Sequence, residues 1–389
     1  ALALRRVWAT GAAWMYSEPE PGLGVMVDAA SGIVIPIRHG RGGVLGLLAV
    51  ESERRRDFRA TDAERFTIAG DGFALALKLA ALSEWHESRF GRATWFEPGN
   101  PRIRELAERV AAGGRSSRAL LVSGPAGVGK TVVARWLHYE SCARAHALVF
   151  HGCSSDPDLA RLAAVQDQGS VVLDGIEALS MTGQEDLLMR IEQSEQAGKA
   201  AGSARLICLV GGSKCEAQWR AMLRPDLLAA LECWHYALCP LADRRAEIPA
   251  LSQFFVERAA REEGLPVPCL ADDARALLWR QSWPGNLREL EQLANRVVLL
   301  NARRQLTAED LAEVITRSGK EVVPRLPSRH PLRLDLEAVL HSTQTSGGRT
   351  NKKRAALYLG WDPDTLVLRL REAGLGLDVV TGDSGAGNA

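Results

Sequence analysis

Residues 119–131, Ala-Leu-Leu-Val-Ser-Gly124-Pro125-Ala126-Gly127-Val128-Gly129-Lys130-Thr131, carry an apolar strand, a glycine loop and a helix start in immediate succession. The loop fits the pattern G-x-x-x-x-G-K-[ST]. Its glycines let backbone N–H groups face inward as an anion cradle, and the helix start adds positive potential. Lys130 is placed to reach the β- and γ-phosphates of ATP, and Thr131 to bind Mg²⁺ through its hydroxyl. Gly124, Pro125, Ala126, Gly127, Val128, Gly129, Lys130 and Thr131 are therefore the expected nucleotide-binding residues.

The acidic partner of that loop lies downstream. Ser170-Val-Val-Leu-Asp174 is a short apolar strand ending in Asp, the form of a Walker B segment, and Asp174 is expected to hold Mg²⁺ through water. ATPases of this type mostly place Glu directly after that Asp, to polarise the attacking water. Here the next residue is Gly175, and the nearest carboxylate, Glu177, stands two positions further on. Losing such a base typically costs on the order of 10²–10⁴-fold in rate. ATP binding is expected to survive, and hydrolysis to be weak or inactive.

The bulk numbers frame these motifs. The chain has 389 residues, more than one ordinary domain needs, with 46% hydrophobic and 24% charged residues. Its net charge is +1, so any nucleic-acid contact has to be local. No stretch approaches the roughly 18 consecutive apolar residues of a membrane span. The opening ALALRRVWAT lacks the features of a signal peptide, and it starts without Met inside a hydrophobic pattern, as a piece of a longer domain would. Seven Cys, an odd number without a C-x-x-C pair, point to buried thiols in a reducing cytoplasm. Cys233, His235 and Cys239 lack a second ligand pair at metal spacing and are expected in the core.

Working outward, residues 31–50 read as two strands joined by a Gly-rich basic turn. A capping box at Thr61–Glu64 then starts a helix with Phe66, Ala69, Phe73 and Leu77 on one stripe. Residues 1–85 form the first expected domain, 95–243 an α/β ATP-binding subdomain and 244–319 a helical lid. The Pro-rich, basic, aperiodic segment 320–333 reads as a linker. Residues 334–376 give helix, Gly-containing turn, helix, with Ala355, Ala356, Leu359, Leu366 and Leu370 spaced for a small three-helix core.

From Pro101 to about Gly319 the order of landmarks resembles the AAA+ domain of bacterial enhancer-binding proteins, the sigma-54 activators of the NtrC type. Trp283-Pro-Gly-Asn-Leu-Arg-Glu-Leu290 matches their WPGN[VL]REL signature, CPLADRRAEIPAL (239–251) is similar to their PLRERREDIP segment, and LRPDLLAAL (223–231) to the segment with their arginine fingers. The resemblance implies that Arg288 is the sensor II arginine touching the γ-phosphate, and that Arg224 is a finger acting on a neighbouring subunit's nucleotide. It further implies RNA polymerase or a sigma factor as partner, and self-association as a dimer or hexamer.

The departures are specific. Residues 150–170 hold no GAFTGA sequence, Ala230 takes the second finger position, and the sensor I position falls near Val210 and Gly211 with Ser213 close by. Segment 31–85 resembles the end of a GAF sensory domain, which implies an unknown small-molecule ligand; a generic α+β fragment is the other reading. The tail resembles the Fis-type helix-turn-helix. That implies double-stranded DNA as partner, with Asn351, Lys352, Lys353 and Arg354 near phosphates and Thr365, Arg369 and Arg371 on or beside the recognition helix. A dimerisation bundle that does not bind DNA is the alternative for the tail.

The expected fold is thus α/β: an AAA+ P-loop core with a helical lid, preceded by a partial α+β GAF-like domain and followed by an all-α helix-turn-helix. Three functions stay open: a DNA-binding regulator that binds ATP without remodelling sigma-54 polymerase, an active ATPase activator with an unconventional base, and a vestigial interaction protein.

Overall fold

Strands buried on both faces read as continuous apolar runs, and helices must then cover both sides of the sheet they form. In the computed structural model, three such runs and two edge strands build a single parallel sheet: β4 (Leu120–Pro125), β5 (Leu148–Gly152), β6 (Ser170–Asp174), β7 (Arg205–Gly212) and β8 (His235–Ala237), in the order β5-β6-β7-β4-β8, with β5 and β8 at the edges. The structure describes most of residues 30–317, apart from 39–43, 56, 155, 157–168, 198–203 and 301–303, with parts of 5–16 and of 336–380. It divides into two compact units, Ala1–Ala112 and Gly113–Ala389.

In the first unit, β1 (Trp14–Tyr16), β2 (Ser31–Arg38) and β3 (Val44–Ser52) form an antiparallel sheet in that order. Helix α1 (Ala60–Phe90) follows and packs on β2. Its start is capped by Asp62, whose carboxylate accepts from Arg59 N at 2.8 Å, so the box involves Asp62 rather than Glu64. The expected stripe is also displaced: Phe73 and Leu77 are exposed, while Ala74, Leu75, Leu79 and Leu82 are buried. By length and composition alone α1 could cross a membrane, although its buried side serves the sheet as a core helix does. Helix α2 (Pro101–Gly114) runs across the division between the two units.

In the second unit, β4 lies between β7 and β8, while β5, the next strand in sequence, lies at the far edge of the sheet. Ligands of open parallel sheets bind outside the carboxyl ends of the strands, where the strand order reverses. Helix α3 (Lys130–Tyr139) covers one face, and His138, fully buried, ties it to β6 through Ser170 Oγ at 2.9 Å. Helices α4 (Met181–Ala197), α5 (Glu216–Met222) and α6 (Pro225–Glu232) accompany the other elements of the core. The opposite end of the sheet is closed by the buried Arg205, which donates to Gly113 O and, at 2.9 Å, to Gly114 O. Burial pushes the pKa of this guanidinium down to about 10.

The lid follows as α7 (Ile248–Glu262), α8 (Asp272–Arg280), α9 (Asn286–Leu300) and α10 (Ala308–Arg317). The tail contributes α11 (Lys352–Leu359). Ala355, Ala356, Leu359, Leu366 and Leu370 are all buried, as their spacing requires, with Leu336, Val339 and Tyr358. This core is shared: Ala276 and Trp279 of α8 lie in the same cluster, with the Trp279 and Tyr358 rings 6.3 Å apart. Arg280 also donates to Leu357 O at 3.1 Å.

Candidate nucleotide site

Gly124, Gly127 and Gly129 take φ of 149°, 73° and 109°, backbone that L side chains rarely adopt. A Cβ on Gly127 would strike Gly285 O, and one on Gly124 would lie 2.8 Å from Leu238 O. The loop is thus closed on itself and on the segments that flank it. Ala126 N donates to Gly212 O at 2.6 Å, anchoring the loop to the end of β7. Lys130 Nζ donates to Gly124 O (2.7 Å) and Pro125 O (3.1 Å). Thr131 follows in the first turn of α3, half-buried, and that turn holds no acidic side chain to compete for the positive end of the helix.

The lid grips the loop from the other side. At Trp283-Pro-Gly-Asn286 the chain turns through positive φ at Trp283 (47°) and Asn286 (54°). Trp283 is buried and donates to Leu278 O at 2.9 Å, which fixes the turn. The Asn286 side chain, buried, accepts from Leu241 N at 2.7 Å and donates to Ala126 O at 2.9 Å. Leu287 N donates to Gly127 O at 3.0 Å. From the segment before α7, Arg244 donates to Val128 O at 2.9 Å while paired with the buried Glu247 at 3.0 Å. Three loop carbonyls in succession, those of Ala126, Gly127 and Val128, are therefore held by groups outside the loop.

Charge converges on Lys130. Burial pushes its ammonium below the ordinary lysine range, Asp174 and Glu177 pull it up again, and Arg288 pushes it down. Asp174 stands at the exposed end of β6, and Arg288 lies in the first turn of α9 with its Cβ close to Gly127. The backbone cradle, the charge-poor helix start and this convergence of Lys130, Arg288 and Asp174 fit a triphosphate with its cation. Gly124 to Thr131 would hold the phosphates, with Thr131 and Asp174 at Mg²⁺.

The remaining expected residues lie elsewhere. Arg224, the finger, caps α6 well outside this loop and pairs with Asp226 (2.6 Å) and Glu185 (3.7 Å). Ala230 packs against the sheet core. Ser213 is exposed beyond the end of β7. Cys233 and Cys239 are exposed rather than in the core, and of the seven Cys only Cys153 and Cys208 are buried, since the others stand on loops and element ends. Cys233 accepts from Arg118 at 3.0 Å, and His235 pairs with Ser123 at 2.7 Å across β4 and β8. In the tail, Lys352 is half-buried and Lys353 exposed at the start of α11. Thr365, Arg369, Arg371 and the side chains of Asn351 and Arg354 lie outside the described residues, as does most of 150–170 beyond Asp156. Asn286 and Arg244 are the residues that motif reading missed as contacts of the loop; only their place in family-like segments signalled them.

Comparison with known proteins agrees with this geometry. Residues 99–231 match the family model of the sigma-54 interaction domain, and residues 242–325 that of the AAA+ ATPase lid domain. Together they form an AAA+ module. Relatives matched over 70–87% of this chain are transcription regulators. The regulatory protein ZraR of Klebsiella oxytoca is 28% identical over 70% of this chain and 67% of its own length. NtrC of Escherichia coli K12 is 26% identical over 78% and 76%, and the Nif-specific regulatory protein of Azotobacter vinelandii 24% over 87% and 73%. Among solved structures, NtrX of Brucella abortus in complex with ADP superposes with a TM-score of 0.53 at 21% identity, covering 82% of this chain and 76% of that one. That likeness is one of fold.

Proposed function

We propose that this chain is an ATP-binding, DNA-binding transcription regulator of the NtrC kind that holds nucleotide firmly, hydrolyses it weakly or not at all, and does not remodel sigma-54 polymerase. One observation carries the reading. The phosphate loop is complete and clamped by Asn286, Leu287 and Arg244, whereas the position after Asp174 is a glycine at φ 82°. The NtrX structures in complex with ADP and with ATP support nucleotide as the ligand. The absence of GAFTGA from residues 150–170 supports a partner surface other than the sigma-54 contact, such as another sigma factor or repression. A GAF-like sensor in the first unit and a Fis-type reader in the tail complete the reading, with double-stranded DNA in the cytoplasm as target. Arg224 is the residue that would act across a ring of copies.

Equilibrium binding of ATP to the purified chain, alongside Lys130→Ala, with steady-state phosphate release, tests it. Lys130-dependent binding with turnover far below one per second is expected. Turnover of one per second or more, within the usual enzyme range, would remove the slow-hydrolysis reading.

A further inference from the structure

The end of β6 carries a carboxylate that the motif does not require. After Asp174, Gly175 turns the chain at φ 82°, and a 3-10 turn over Ile176–Ala178 plants Ile176 in the sheet core. This returns Glu177 towards the sheet, where it is 6% exposed. Its Oε1 accepts from Gly211 N at 3.2 Å, at the end of β7, where the resemblance places a polar sensor side chain and this chain has none. Its Oε2 is buried with no hydrogen-bond partner among the described residues. The charge is nevertheless felt at Lys130, beside that of Asp174.

A buried carboxylate oxygen without a donor is costly to keep, and such groups persist where a ligand or water completes them. Gly211 N–H fixes one oxygen of Glu177, and the neighbouring Gly212 O anchors the phosphate loop through Ala126 N. The free oxygen is therefore registered to the loop through two adjacent residues of β7.

We infer that Glu177 is the carboxylate that holds and orients the water attacking the γ-phosphate, replacing both the side chain missing at Gly175 and the one missing at Gly211. This rests on the reading that ATP occupies the phosphate loop. The water oxygen bonds to γ-phosphorus as the bond to the β–γ bridging oxygen breaks and its electron pair leaves with ADP. The water proton passes to Oε2 and on to the released phosphate. Turnover is slow because the residue arrives from a turn two positions beyond the usual one.

The test uses the full chain, Glu177→Gln and Lys130→Ala, with ATP and Mg²⁺. Gln keeps an oxygen for Gly211 N–H and the volume of the side chain, so the fold is retained, which thermal unfolding checks. Nucleotide recovered from the protein after long incubation is expected to be ADP for the parent chain and ATP for Glu177→Gln, with single-turnover cleavage slowed on the order of 10²-fold or more. Independently of cleavage, removing a negative charge beside the γ-phosphate should raise the ratio of ATP to ADP affinity by roughly tenfold. Cleavage in Glu177→Gln at the parent rate overturns the inference, as does an unchanged affinity ratio. A parent chain that binds ATP through Lys130 and never cleaves it overturns the inference while leaving the regulator reading intact. Absence of Lys130-dependent binding overturns that reading as well.

Discussion

Two edges of one nucleotide site differ sharply. On the β4 side every feature converges: three glycines at positive φ, Lys130 inside the loop, and Asn286, Leu287 and Arg244 bound to consecutive carbonyls. On the side formed by the ends of β6 and β7 the side chains thin out to Gly175, Val210 and Gly211 after Asp174, and Glu177 returns beside it. On the proposed reading grip and cleavage are separable parts of such a site. The grip would be made by backbone and lid, which the fold itself needs, and the cleaving groups would be individual side chains that the fold tolerates losing.

Four measurements sharpen or break this contrast. The largest effect is expected at Trp279, on the gripping lid: Trp279→Ala should cost about 3–5 kcal/mol, because the cavity opens in a core shared by α8 and the tail. Urea unfolding reads it, and loss of the Tyr358 environment should accompany it. Lys130→Ala comes next, with ATP affinity falling on the order of 10²-fold in a titration while the fold survives. For Asn286→Ala, two buried hydrogen bonds are lost and Leu241 N and Ala126 O are left without their partner, so about 2 kcal/mol of stability should go, together with ATP affinity. If that variant bound ATP normally, the lid would not be part of the grip.

The smallest effect is on the surface. Arg224 holds the Asp226 carboxyl down to about 2, through their hydrogen bonds. A depressed folded pKa contributes stability above the unfolded value near 3.9 and loses it as pH falls towards 2. Arg224→Ala should return Asp226 to the ordinary carboxylate range in an NMR titration, with only a small loss of stability at neutral pH because solvent screens this exposed pair. A finger that acts only on another copy predicts that combination.

The legible parts of the chain are those where backbone chemistry leaves few choices. Gly124 to Thr131 and Trp283 to Leu290 declared themselves because their glycines, proline and lysine are dictated locally. The tail core was legible from spacing alone at Ala355, Ala356, Leu359, Leu366 and Leu370. The buried face of α1 was not, since the stretch from Phe73 to Leu82 is apolar on every side but that of Lys78, and its period hardly selects a face. Nor were Asn286 and Arg244, whose partners Ala126 and Val128 lie 160 and 116 residues away in sequence. Trp279 was missed for a related reason: nothing local says that a lid residue completes another segment's core.

Arg244 and Arg245 are neighbours in the chain with different charges of duty. The first holds Val128 O in the phosphate loop. The second donates to Trp279 O at 2.7 Å and lies over the Trp279 ring, its guanidinium carbon 5.6 Å from the centroid. A single peptide unit therefore spans the distance between the loop and the root of the tail bundle. The phosphate loop and the core shared with the tail are thus tied down by adjacent residues of one short segment, so a substitution that displaces this segment is expected to disturb both at once.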